Sequence, residues 1–154
     1  MAALNPPSYE VTARLLAPGI AEIDARRERI RFDSSPGRSD QLPGPAELLC
    51  GALAACILKN VERFTELLSF SQHGAAIRVN AERQERPPLF TQIRYELRLV
   101  TDESPRRLEL LRRNLAAHGT VYNTLAGSCD VDGEVIAVDS LDTPRHPPEA
   151  PAGL

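Results

Sequence analysis

With 154 residues, 42% of them hydrophobic, the chain is long enough for one domain with a real core and too short for two comfortable ones. Charged residues make up 25%, and no stretch reaches the ~18 apolar residues of a membrane helix, so a soluble protein with no membrane partner is expected. A net charge of −3, a pI near 5.6 and 5% aromatic residues leave no basic excess to neutralise phosphates and few rings on which bases could stack, which argues against nucleic acid.

The stretch from Met1 to Tyr9 lacks the basic and then apolar segments of a signal peptide. A cytoplasmic location is therefore expected, with three reduced cysteines and no structural disulfide. Tyr9, Val11, Ala13 and Leu15 alternate with polar residues, the period of a strand with one face buried. After a Pro18-Gly19 turn, Ala21, Ile23 and Ala25 repeat the alternation, and Ile30 and Phe32 do so again beyond Arg26-Arg27-Glu28. These predict a three-stranded antiparallel meander.

Asp33 to Gly44 is rich in Ser, Pro, Gly and Asp and reads as a surface loop. Pro45 suits the first position of a helix and Glu47 its positively polarised start, and PAELLCGALAACILKNVERFTELLSF then runs on without a breaker. Leu49, Leu53, Ile57 and Val61 recur at helical spacing among Gly51, Ala52, Ala54 and Ala55, so the first half is expected to be buried centrally. Lys59, Glu62, Arg63 and Glu66 make the second half amphipathic.

Alternation at Ile77, Val79 and Ala81 and again at Ile93, Tyr95, Leu97 and Leu99, across a Glu85-Arg86-Pro87-Pro88 turn, predicts a hairpin. Ser104 caps a second helix with Pro105 behind it and a stripe of Leu108, Leu111 and Leu115, and Gly119 is placed to end it. A short turn or helix over Thr120 to Leu125 leads to a last strand carrying Cys129, Val131, Val135 and Ala137 on one face. One domain over residues 1–138 is expected, followed by a Pro-rich flexible tail over 139–154.

Separated runs of hairpin strands and helices point to the α+β class, with antiparallel sheets packed around a long central helix. That helix is apolar nearly all round and needs more cover than the other elements supply. A second subunit is expected to provide it.

Cys50, Cys56 and Cys129 form no CxxC pair, and His73, His118 and His146 give no metal-ligand spacing, so neither a metal nor a cofactor is expected. GxSxG, GxGxxG and GxxxxGK motifs are all missing, which leaves hydrolase, dinucleotide and P-loop chemistry without support. Cys56 reads either as a small buried core thiol or as a nucleophile. The second role needs a thiolate, and Cys56 lies too far inside the helix for the helix start to supply it. Glu47 lies nine residues earlier, at about 100° per residue on the opposite side of a continuous helix and roughly 13 Å along its axis. Its plain role is a favourable charge in the first turn; a catalytic one is the alternative. Cys50 is badly placed for an intrahelical disulfide with Cys56, Cys129 suits a core position, and His118 reads as a helix-end cation, with a proton carrier as the alternative. Arg106-Arg107 and Arg112-Arg113 read as the solvated face of their helix.

The stretch GPAELLCGALAACIL resembles the signature of the OsmC/Ohr family, and TVYNTLAGSCDVDGEV resembles that family's closing helix-turn and strand. The resemblance spans roughly residues 9 to 138 and implies an OsmC-like fold in an intertwined homodimer, with a reactive site near the subunit interface. It further implies a thiol peroxidase that reduces organic hydroperoxides, with Cys56 as the attacking cysteine and a dithiol such as lipoamide, or another external thiol, as reductant. The family's resolving cysteine falls at Gly119 here. Its acidic residue, ten positions before the cysteine, falls at Ala46 with Glu47 one step on, and the arginine of its first hairpin has no counterpart around Pro18 to Glu22. These departures leave two expectations: a peroxidase in which an external thiol, or Cys50 or Cys129, resolves oxidised Cys56, and a non-catalytic OsmC-like dimer that binds a small apolar ligand or serves as a scaffold.

Overall fold

A computed structural model describes residues 6–142. They fall into two compact units, one ending at Leu49 and the other beginning at Cys50.

The first unit is built on a meander. Strands β1 (Thr12–Ala17), β2 (Ile20–Ala25) and β3 (Glu28–Asp33) pair antiparallel in that order, as their alternation predicts. Gly19 turns the chain between the first two at φ +77°, a conformation that favours glycine. Glu22 is 6% exposed in the middle of β2, and Arg14 and Arg29 approach it at 3.0 and 3.9 Å from the two flanking strands, the pairing a buried carboxylate requires. The expected buried face of β1 is not found: the strand starts at Thr12, and Leu15 is 77% exposed. Alternation marks a strand, but its burial depends on what lies against it.

Asp33 organises the loop that follows. Its carboxylate accepts hydrogen bonds from the Ser35 hydroxyl (2.6 Å), the Ser35 N–H (2.9 Å) and the Ser39 N–H (2.8 Å), and these hold its carboxyl below the usual range. Helix α1 (Pro45–Leu67) then begins with Glu47 Oε2 accepting from the Gly44 N–H at 3.0 Å, the reciprocal half of a capping box.

In the second unit, β4 (Ala75–Glu85), β5 (Pro88–Val100) and β6 (Asp130–Val138) form a sheet in the order β4-β5-β6. β4 and β5 are the predicted hairpin, longer than the alternation alone suggests. β6 corrects the expectation of purely antiparallel sheets, because it lies parallel to β5. A parallel neighbour needs a crossover connection, and α2 (Pro105–His118) and α3 (Thr120–Ala126) provide it.

Ile93, Tyr95, Leu97 and Leu99 point from one face of β5 into the core, where Leu53, Ile57, Val61 and Phe64 of α1, Leu111 and Leu115 of α2, and Tyr122 of α3 join them. Each such side chain contributes about 1.5–3 kcal/mol on burial, which fixes the three helices against the sheet. Leu53 and Ile57 are buried, but Gly51, Ala52 and Ala55 are exposed in the single chain.

Ser104 caps α2 as expected, its side chain accepting from the Arg107 N–H. Arg107 does more than solvate its helix. Its guanidinium donates to the Leu68 and Ser69 carbonyls past the end of α1 at 2.9 and 3.2 Å, and to Glu103 at 3.0 Å. Arg106 and Arg113 lie on the solvated face that sequence suggests, whereas Arg107 and Arg112 are half-buried; Arg112 and Arg113 both pair with Glu109. Of the expected tail, residues 143–154 lie outside the described residues; within 139–142, Leu141 sits beside Gly74, 3.1 Å from where a β-carbon on that glycine would be.

Candidate functional site

Cys56, Asn60 and Phe64 stand at four-residue intervals on α1 and so share one stripe of the helix. Cys56 is partly exposed, and no disulfide engages it or the other two cysteines. The Asn60 amide nitrogen lies 3.1 Å from the Cys56 carbonyl oxygen and 3.8 Å from its Sγ.

Opposite Cys56 is the junction between α2 and α3, occupied by Gly119. A β-carbon built on Gly119 would lie 3.1 Å from Cys56 Sγ, 2.9 Å from Tyr122 Cβ and 3.3 Å from the Leu115 carbonyl oxygen. Gly119 has φ −81° and ψ 120°, which any residue adopts, so it is not the left-handed helix cap that its place after His118 suggests. Close approach, not backbone conformation, accounts for the glycine. The end of α2 is closed instead by Asn123, whose Nδ2 donates to the Ala117 carbonyl at 3.1 Å.

His118 is exposed in the last turn of α2, and its ring packs against Phe64 with centroids 5.6 Å apart. Behind Gly119, Tyr122 gives its hydroxyl to the Val131 carbonyl at 3.2 Å and meets the Tyr95 ring edge-on. Burial raises both tyrosines above their ordinary titration range. The wall behind Gly119 is therefore aromatic and uncharged near neutral pH.

Glu47 is exposed, and its carboxylate is shared between the Gly44 N–H and Arg38, 3.7 Å away. Cys129 precedes β6 and packs beside the core, with its Sγ 3.5 Å from the Leu125 carbonyl oxygen. Among the described residues, no group of three His, Cys, Asp or Glu side chains is placed to hold a metal ion, and no helix is long and apolar enough to cross a membrane. Cys56 and Gly119, singled out on sequence, are thus brought together. Asn60 was missed. Its only sequence signal is the spacing of four from Cys56, which an amide shares with any solvent-facing helical residue.

The family model described as OsmC-like protein matches residues 38–134 of the chain. No curated protein matches it in sequence. Among solved structures, the fold is similar to that of an OsmC-like protein from Mycoplasma pneumoniae, with a TM-score of 0.76 and 18% identity over 86% of this chain and 96% of that one. It is similar to an organic hydroperoxide resistance protein OsmC from Legionella pneumophila, with a TM-score of 0.67 and 14% identity over 84% and 98% of the two chains. The organic hydroperoxide resistance protein OhrB of Bacillus subtilis matches with a TM-score of 0.62 and 18% identity, again over 84% and 98%. At such identities the likeness speaks to the fold.

Proposed function

The chain belongs to the OsmC-like protein family, and from that premise we propose that it is a thiol-dependent peroxidase that reduces organic hydroperoxides in the cytoplasm through Cys56, with an external thiol in place of a resolving cysteine. The support is one geometric relationship. The two positions that the family resemblance pairs as attacking and resolving residues are neighbours in space, a β-carbon at Gly119 falling 3.1 Å from Cys56 Sγ.

In the first step the Cys56 thiolate attacks the distal peroxide oxygen. The O–O bond breaks, an S–O bond forms, and the leaving alkoxide takes up a proton and departs as the alcohol, leaving a sulfenic acid. Gly119 carries no thiol, so an external thiol attacks the sulfenic sulfur, giving a mixed disulfide and water. A second thiol then releases Cys56 and leaves as the disulfide of the reductant. Glu47 acts one step removed, capping the helix on which Cys56 stands and holding Arg38.

The working form is a homodimer. Leu15 (77% exposed), Leu16 (42%), Ile20 (37%) and Ile30 (41%) in the meander, together with the exposed Gly51, Ala52 and Ala55 of α1, are apolar or small surfaces that a second copy of the chain would cover.

The test is to treat the reduced protein with a stoichiometric organic hydroperoxide, beside hydrogen peroxide, and to trap sulfenic acid with dimedone. Mapping by mass spectrometry is expected to find fast labelling of Cys56 that the organic peroxide favours. Slow labelling spread equally over Cys50, Cys56 and Cys129 would overturn the proposal and leave a ligand-binding or scaffolding dimer.

A further inference from the structure

We infer that Asn60 is a positioning residue for Cys56: its side-chain amide is a fixed N–H donor that favours the anionic forms of the sulfur, thiolate and sulfenate, over the protonated ones. The inference rests on the reading of Cys56 as the attacking thiol and adds the group that prepares it.

An amide side chain can be turned either way about its last bond, and its neighbours decide which end faces them. Here the decision is unambiguous. The atom 3.1 Å from the Cys56 carbonyl oxygen must be the nitrogen, because a backbone carbonyl only accepts hydrogen bonds. One of the two amide hydrogens is held by that carbonyl, and the same nitrogen stands 3.8 Å from Cys56 Sγ, within hydrogen-bond range for sulfur. Asn60 therefore offers the sulfur a donor and no acceptor. A donor stabilises the charged form of an acidic group, and the carbonyl anchor fixes the amide beforehand.

Titratable groups on the elements around Cys56 include His118, Tyr122 and Lys59. On the α2 side His118 packs on Phe64, on α3 Tyr122 gives its hydroxyl to Val131, and on α1 Lys59 is exposed. Gly119, the residue against Cys56 Sγ, brings no side chain at all. On sequence Glu47 is the catalytic candidate beside Cys56, but its carboxylate is held by the Gly44 N–H and Arg38 and the helix start lies out of range, which leaves the activation of Cys56 to another residue. Asn60, one turn along the same helix, fills that place.

The experiment measures the rate of iodoacetamide alkylation of Cys56 against pH, by peptide mapping, in the wild-type chain, Asn60→Leu and Asn60→Asp. Leucine keeps the size and removes the donor; aspartate keeps the shape and replaces the donors with acceptors. Alkylation near neutral pH is expected to slow by about three- to tenfold in Asn60→Leu, and further in Asn60→Asp. Superimposable profiles in either variant, with unchanged circular dichroism and thermal midpoint, would overturn the inference. Should one variant fold poorly, the other decides alone, and Asn60→Ser, which restores a hydroxyl donor, is expected to lie between wild type and Asn60→Leu. Alkylation reports the thiol without turnover, so the two proposals fail separately. A shifted profile with no hydroperoxide labelling removes the peroxidase and keeps the donor; equal labelling of wild type and variants with unshifted profiles does the reverse.

Discussion

Gly119 stands against Cys56 so closely that a β-carbon added to it would fall 3.1 Å from the Cys56 sulfur. In a disulfide, the distance from one β-carbon to the far sulfur is set by the bond lengths at about 3 Å. The backbone of this chain thus keeps the spacing of a disulfide pair while lacking one of its thiols.

Gly119→Cys is accordingly expected to place a thiol within bonding reach of Cys56. The new β-carbon would also press on Tyr122 Cβ at 2.9 Å and on the Leu115 carbonyl at 3.3 Å, so the reduced variant is expected to lose about 1–3 kcal/mol of stability. One equivalent of organic hydroperoxide is expected to convert the pair into an intramolecular disulfide, seen as a cross-linked peptide in a non-reducing digest and as protection of Cys56 from dimedone. Stable sulfenic acid on Cys56 in a folded variant would show that the two positions are not a working pair.

Local pattern made much of this readable. A long run without a helix breaker behind Pro45 marks α1, and Ser104-Pro105 marks the start of α2, because capping and proline geometry are decided within a few residues. The parallel placing of β6 was not readable, since Val131 and Val135 alternate in the same way whichever direction the neighbour runs. Gly119 was visible as a position, but its cause was not: a close approach to Cys56 from a residue 63 positions away leaves no local signature. The same holds for Asn60, whose amide becomes a sulfur donor only once its rotamer is known.

Glu47 separates capping from chemistry. Glu47→Ala removes the acceptor for the Gly44 N–H and the partner of Arg38, and is expected to cost about 0.5–1 kcal/mol. Glu47→Gln keeps an acceptor and is expected to lose about half as much. Denaturant midpoints measured beside dimedone labelling check this, with labelling of Cys56 near the wild-type level in Glu47→Gln. A stable Glu47→Gln chain that no longer labels would place the carboxylate on the thiol itself.

Acid sensitivity has a named contributor on α2. Hydrogen bonds from Arg112 and then Arg113 hold the Glu109 carboxyl at about 2, below its ordinary 4.5. A depressed carboxyl pKa adds stability that is fully present above the ordinary value and is lost as pH falls from 4.5 through about 2. Urea midpoints of wild type and Glu109→Gln are therefore expected to differ near neutral pH and to converge at the acid end of that window. A gap that stays constant across the window would assign the effect of the substitution to packing.

In the aromatic wall behind Gly119, Gly133 of β6 is register partner of Tyr95 on β5, and a β-carbon on Gly133 would lie 2.4 Å from the Tyr95 ring. The ring lies over the glycine and cannot retreat freely, because Tyr95 is 4% exposed and its far side meets Tyr122 with centroids 6.2 Å apart. Gly133→Ala is expected to cost about 1–3 kcal/mol by forcing the ring from its place. Tyr95→Leu removes the obstructing ring at its own cost in core contacts. Because both changes act on the same space, the double variant is expected to be more stable than the sum of the single losses, with a coupling of about 0.5–3 kcal/mol. Thermal or urea unfolding of the four chains measures it. Additive losses would mean that the ring moves aside at no cost, and that the aromatic wall behind Gly119 is softer than its packing implies.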